Sequence, residues 1–121
     1  MIRVSFIEHR GKRIAYHDFS NVGTLQEATE AFRQSAELVR AQPQGSVLTL
    51  TNVEGSRFNK DILDGLKTLT AGNKPYVKAA CIVGLSGLQR VAYLAVTTFT
   101  GRHMPTFATA DKAKDWLVEQ T

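Results

Sequence analysis

The sequence of 121 residues holds a single cysteine, Cys81, and no stretch that approaches the ~20 apolar residues a membrane-spanning helix needs. One cysteine forms no internal disulfide, and with no second ligand near it in the sequence it offers no metal site. Set inside an apolar run, Cys81 reads as a small buried hydrophobe. The phosphate-cradling patterns G-x-x-x-x-G-K-[ST] and G-x-G-x-x-G are both absent, and no His, Cys or carboxylate spacing suggests a metal or a cofactor. GLSGL approaches a nucleophile elbow but lacks the glycine two residues after Ser86. The opening MIRVSFIEHR has no long apolar core of the kind a signal peptide carries, so a cytoplasmic chain is expected.

A large excess of one charge is also missing. The net charge of +4 comes from scattered residues, with one local cluster, HRGKR at 9–13, which reads as a solvated hairpin tip. A nucleic-acid binder usually shows a stripe of Lys and Arg with interleaved aromatics, and its absence argues against that partner. What is present is an ordinary globular mixture, 43% hydrophobic and 21% charged, in a length suited to one domain over residues 1–121.

The organising stretch is Val77 to Phe99. Val77 to Val83 is nearly all apolar, the signature of a strand covered on both faces and set in the middle of a sheet. Gly84, Ser86 and Gly87 break it, and Ser86 with Gln89 spells an S-x-x-Q capping box that opens a helix. Upstream, Ile2, Val4 and Phe6 alternate with Arg3, Ser5 and Ile7, and the alternation resumes from Ile14, which predicts a hairpin turning near Arg10 to Lys12. Thr24 and Glu27 form another capping box, followed by Leu25, Ala28, Phe32, Ser35 or Ala36, and Val39 at helical spacing. Ser46 to Val53 reads as a strand, and Asn59 as the cap of a helix that turns Ile62, Leu63, Leu66 and Leu69 inward. Thr106 to Ala108 is a short strand, and Thr109 caps a last helix with Ala110, Ala113, Trp116 and Leu117 on one side. The alternation predicts an α/β fold: a mixed five-stranded sheet, antiparallel only at the N-terminal hairpin and parallel elsewhere, flanked by four helices.

The phrases GKRIAYHDFS, SVLTLTNVEGSRFN, NKPYVKAACIVGLSGLQRV and FATADKAKDWL, in this order and spacing, resemble the SpoIIAA-like branch of the STAS superfamily over nearly the whole chain. The resemblance implies the same mixed sheet and a regulatory binding module without enzymatic activity; a related fold carries lipids and other apolar ligands. In STAS-type anti-sigma antagonists the regulated serine follows an aspartate at the start of the helix after the third strand. Here the corresponding stretch is NVEGSRFNKD, where Ser56 follows Gly55 and precedes Arg57. The resemblance therefore supports a binding module more than a phosphorylation-switched antagonist, and Ser56 reads as an ordinary turn residue.

In open α/β sheets ligands bind outside the carboxyl ends of the strands. That edge gathers Asp18, Ser20, Asn52, Glu54, Ser56, Arg57, Ser86 and Arg90, with the N–H groups after Ser86 and the two arginines suited to an anion. His9, His17 and His103 fall on the hairpin and a late connector, with no serine or cysteine expected beside His9 or His17 to activate, so the chain reads as not an enzyme. The helix after Ser86 carries no charge from Val91 to Phe99, and a helix apolar all round must be covered all round. A second helix, a bound apolar ligand or another subunit meets that need, with Tyr93, Leu94 and Phe99 at the surface concerned. Two functions follow: a self-associating module that engages a protein partner, or a carrier of a small apolar or anionic ligand whose last two helices enclose a cavity lined by Leu88, Leu94, Phe99 and Trp116.

Overall fold

A computed structural model describes residues 1–120, the Leu88 side chain excepted. The alternating start forms β1 (Val4–His9) and β2 (Lys12–Asp18), paired antiparallel from Val4↔His17 to His9↔Lys12. Arg10 and Gly11 alone join them, both at positive φ (53° and 80°), the left-handed pair whose twist suits a two-residue hairpin. Next comes α1 (Leu25–Arg40), where Thr24 Oγ1 accepts from the Glu27 N–H at 3.1 Å and Glu27 reaches back to the Gly23 N–H. Then follow β3 (Val47–Asn52), α2 (Lys60–Asn73) capped by Asn59, a 3-10 turn (Lys74–Tyr76) and β4 (Val77–Val83). The chain continues through α3 (Gly87–Thr100), β5 (Thr106–Phe107) and α4 (Ala110–Val118).

The strands lie in the order β1-β2-β3-β4-β5 and only β1 with β2 is antiparallel, so the mixed five-stranded sheet with four helices stands as the sequence predicts. Because β2 to β5 succeed one another in a single direction, crossovers of one hand put every connecting helix on the same face. Accordingly α1, α2 and α3 share one core with Phe19, Ala80 and Ile82. The other face is left to α4, whose Ala113 and Leu117 pack on Ile14, Leu50 and Cys81. The side-chain period of 2 then divides β3, sending Leu48 and Leu50 to α4 and Thr49 and Thr51 to the three-helix side.

Several expectations are corrected by this arrangement. The centre belongs to β3, since the order is monotonic; β4 has neighbours on both sides, but β5 pairs with it only at Ile82 and Val83. Helix α3 is not covered all round: Ala92 and Val96 turn inward, while Val91, Leu94 and Phe99 are 66%, 58% and 63% exposed. Leu25 is exposed as well, and Ala31 takes a buried place on α1 instead. Ser86 caps α3 without a capping bond; its hydroxyl donates to Gln89 Oε1 at 3.2 Å, while Gln89 Nε2 donates to the Ser56 carbonyl at 2.9 Å. The S-x-x-Q pattern thus ties α3 to the β3–α2 loop. Gly84 serves the same junction: at φ +85° its backbone passes so near this loop that a Cβ would stand 2.6 Å from the Glu54 nitrogen. Finally, the hairpin tip is docked and only partly solvated, with His9 Nε2 2.7 Å from Asp115 and Lys12 donating to the Val118 carbonyl at 3.0 Å.

Candidate functional site: a cavity between the sheet and three helices

Between the sheet and α1–α3 lies a cavity whose floor is the three-helix face of the strands. Pairing registers set its rows. His17 stands beside Thr51, and Thr51 beside Ile82; one step back, Ala15, Thr49 and Ala80 form the next row. Helix α1 contributes Ser35, α2 contributes Leu66, Leu69, Thr70 and Asn73, and α3 contributes Ala92, Tyr93 and Val96. Arg102 and Met104, from the connector after α3, close it. The space open to the centres of water-sized molecules is about 70 Å³. One water needs roughly 10–15 Å³ on this scale, so the cavity has room for about five waters or a molecule of as many heavy atoms.

A buried hydrogen-bonded chain runs along one wall. The Ala15 carbonyl only accepts, so His17 Nδ1, 3.1 Å away, carries the proton and donates to it. Nε2 is then the acceptor for the Ser35 hydroxyl at 2.7 Å. Ser35 Oγ in turn accepts from Asn73 Nδ2 at 3.1 Å, and Asn73 Oδ1 accepts from Arg40 Nε at 3.0 Å. Burial holds the imidazole pKa down to about 4; the Ala15 bond opposes this, and the nearby Arg102 charge adds to it. His17 is therefore neutral at pH 7. A serine on a histidine resembles a nucleophile and its base, and it corrects the expectation that no serine stands beside His17. Yet the ring is a weak base oriented by a neutral carbonyl, and the serine oxygen already accepts from Asn73, so the chain is suited to fixing side chains and poorly suited to activating an alcohol.

Part of the polar lining is unspent. Among the described residues the hydroxyls of Thr49, Thr51 and Thr70 have no hydrogen-bond partner, and no fully enclosed side-chain polar atom is left unpaired, so each of the three touches open space. Arg102 Nη1 donates to the Thr70 carbonyl at 3.2 Å, while Nε and Nη2 meet no acceptor among the described residues. Among the described residues no Asp or Glu lines the cavity. Burial lowers the Arg102 pKa from its ordinary value, but a guanidinium stays charged at neutral pH. The site therefore offers one positive charge and three free hydroxyls beside the bonded polar chain, with the remaining walls largely apolar. Among the described residues no group of three metal-ligating side chains converges.

The residues expected at the carboxyl edge fall into two sets. Loops do gather there: the Asn21 N–H donates to the Glu54 carbonyl and the Arg57 N–H to the Val22 carbonyl, each at 2.8 Å. Ser56, Arg57 and Ser86 border an open groove of about 630 Å³ between the β3–α2 loop and the start of α3. Asp18, Ser20, Asn52 and Arg90 lie outside it. Asp18 accepts from the Ser20 N–H and hydroxyl, Asn52 accepts from the Glu54 N–H at 3.0 Å, and the buried Ser56 hydroxyl donates to the Val53 carbonyl at 2.6 Å.

The expected apolar surface is also divided. Tyr93 is half-buried against the cavity, its hydroxyl donating to the Met104 carbonyl at 2.6 Å. Leu94 and Phe99 lie on the outside of α3, and Trp116 packs on Phe107 across the sheet, ring centres 5.7 Å apart. These residues cannot enclose one cavity, because α3 and α4 cover opposite faces; the side chain of Leu88 lies outside the described residues. Sequence reasoning missed His17, Thr49, Thr51, Thr70 and Arg102. A signal existed: in VLTLTN the threonines occupy every second position, and a strand covered on both faces must bury them.

Compared with protein-family models, with curated proteins and with solved structures, the chain matches none. Fold and cavity together define an α/β domain with an internal, amphipathic space. No helix among the described residues is long and apolar enough to cross a membrane.

Proposed function

We propose that this chain is a non-enzymatic binding module whose ligand is a small molecule held in the cavity between the sheet and α1–α3. One observation carries the reading: three threonine hydroxyls and two nitrogens of a half-buried guanidinium border the cavity and have no protein partner among the described residues, which leaves them free to bond a ligand. The sequence resemblance to SpoIIAA-like STAS domains supports a regulatory module, and the related lipid-carrying fold supports an internal ligand. The size of the space favours a compact ligand over a lipid.

The test is a small-molecule screen read by amide chemical shifts. Compounds of about five heavy atoms should move resonances of β2, β3 and α3 that border the cavity, and Ala92→Leu, which fills it, should abolish those shifts while the protein stays folded. Shifts confined to the outer surface, or binding that survives Ala92→Leu, would refute the cavity as the site.

The exposure of Val91, Leu94 and Phe99 on one side of α3 favours a second reading, a module that self-associates or docks a protein there. A dimer in sedimentation that Leu94→Asp converts to monomer is the result expected of it, and a wild-type monomer at millimolar concentration would count against self-association.

A further inference from the structure

Among the described residues the one charge lining the cavity is the Arg102 guanidinium, whose Nε and Nη2 edge has no acceptor there, and none of their carboxylates lines the space. Arg102 is half-buried, and a guanidinium fork with no protein acceptor matches the two oxygens of a planar anion. We infer that the ligand is a small monocarboxylate, its carboxylate bound by the Nε and Nη2 edge of Arg102 with help from the threonine hydroxyls, and its short apolar end against Val53, Ile82 and Tyr93. The inference rests on the cavity being the binding site and names the chemistry it selects.

Charge count and size choose this class. A monocarboxylate neutralises one guanidinium, whereas a phosphate dianion would leave a second charge uncompensated among apolar walls. His17 is neutral and its Nε2 is already used by Ser35, so it supplies no second cation. Space of about 70 Å³ admits a carboxylate with two or three carbons and excludes a long chain. Donors already in place need little rearrangement to accept the anion, which keeps the cost of binding low.

The experiment titrates wild-type protein with propionate, with propionamide as its neutral isostere and with inorganic phosphate, following amide shifts and heat. Propionate is expected to bind roughly tenfold to a hundredfold more tightly than propionamide, the worth of hydrogen bonds to a charged group. Arg102→Met should remove that difference, bringing propionate binding down to that of propionamide, and Arg102→Lys, which keeps the charge but not the fork, should recover only part of it. Equal binding of propionate and propionamide to wild type would overturn the carboxylate inference while leaving the cavity reading standing. Tighter binding of phosphate than propionate would also overturn it. No shift at cavity residues with any of the three would remove the cavity reading as well. The wild-type comparison decides the matter even if Arg102→Met fails to fold.

Discussion

On the α4 face of the sheet, Ile14, Leu50, Cys81, Ala113 and Leu117 have no exposure, and the burial that closes them off pushes the Cys81 thiol up to about 12. On the other face three helices cover the same strands and still leave an internal space floored by His17, Thr49 and Thr51. More covering helices have produced looser packing. The difference arises in β3, whose alternate residues are leucine toward α4 and threonine toward α1–α3. A single helix laid on a flat apolar patch meets it along its whole length, whereas three helices bridging a polar strip stand off it. Close packing of the kind expected in protein interiors is met on one side and relaxed on the other.

The largest effect should come from breaking the packed side. Leu117→Ala removes a fully buried side chain from contact with Ile14 and Leu50, and about 2–5 kcal/mol of stability should go with it in urea unfolding. Leu66→Ala, whose half-buried side chain already borders open space, should cost about 1–2 kcal/mol, because fewer contacts are lost there. Equal losses at the two positions would show that the faces are packed alike.

Acid sharpens the comparison from the cavity side. His17 has a pKa near 4 in the folded chain against 6.5 when unfolded, so between these values the unfolded chain binds more protons. Stability from this group is complete above about pH 6.5 and is lost as the pH falls toward 4, roughly 3 kcal/mol in all. His17→Gln should flatten the slope in that window, and a slope unchanged by the substitution would mean that other groups set it. Ser35→Ala probes the same chain of bonds without a titrating group. It leaves His17 Nε2 and one Asn73 N–H with no partner, for an expected cost of about 1–3 kcal/mol in urea unfolding at pH 7.

How much of this was legible beforehand depends on which interaction set each feature. Strand, hairpin and helix spans follow from period-2 and period-3.6 patterns and from caps such as Thr24 and Asn59, which act within a few residues. The S-x-x-Q pattern at Ser86 misled because Gln89 found a stronger demand elsewhere, the Ser56 carbonyl, 33 residues away in sequence. The apolar run of α3 is covered by this chain on one side, through Ala92 and Val96, and leaves Leu94 and Phe99 outside, at the apolar surface expected there. The cavity could not be placed for a different reason. His17, Ser35, Asn73 and Arg102 come from four separate segments, and only the common side taken by α1, α2 and α3 brings them together. That side follows from the monotonic strand order, which local pattern does not determine.

The smallest expected effect is the most discriminating. Thr49→Val replaces a hydroxyl by a methyl of nearly the same shape, and at a site where the hydroxyl is bonded to the protein such a change strands its partner. Thr49 has no such partner among the described residues, and it lies in the middle of the central strand, where an apolar branched side chain suits both pleat and surroundings. Removing an unpaired hydroxyl from an apolar space relieves a desolvation cost, and losing its contact with cavity water offsets part of that gain. The net change should stay within about 0.5 kcal/mol of zero in urea unfolding. At the capped Thr24, by contrast, Thr→Val should cost about 1 kcal/mol, because the Glu27 N–H loses its acceptor. A loss at Thr49 as large as that at Thr24 would mean that the threonine serves the fold, and the polar floor would then belong to the core rather than to a ligand.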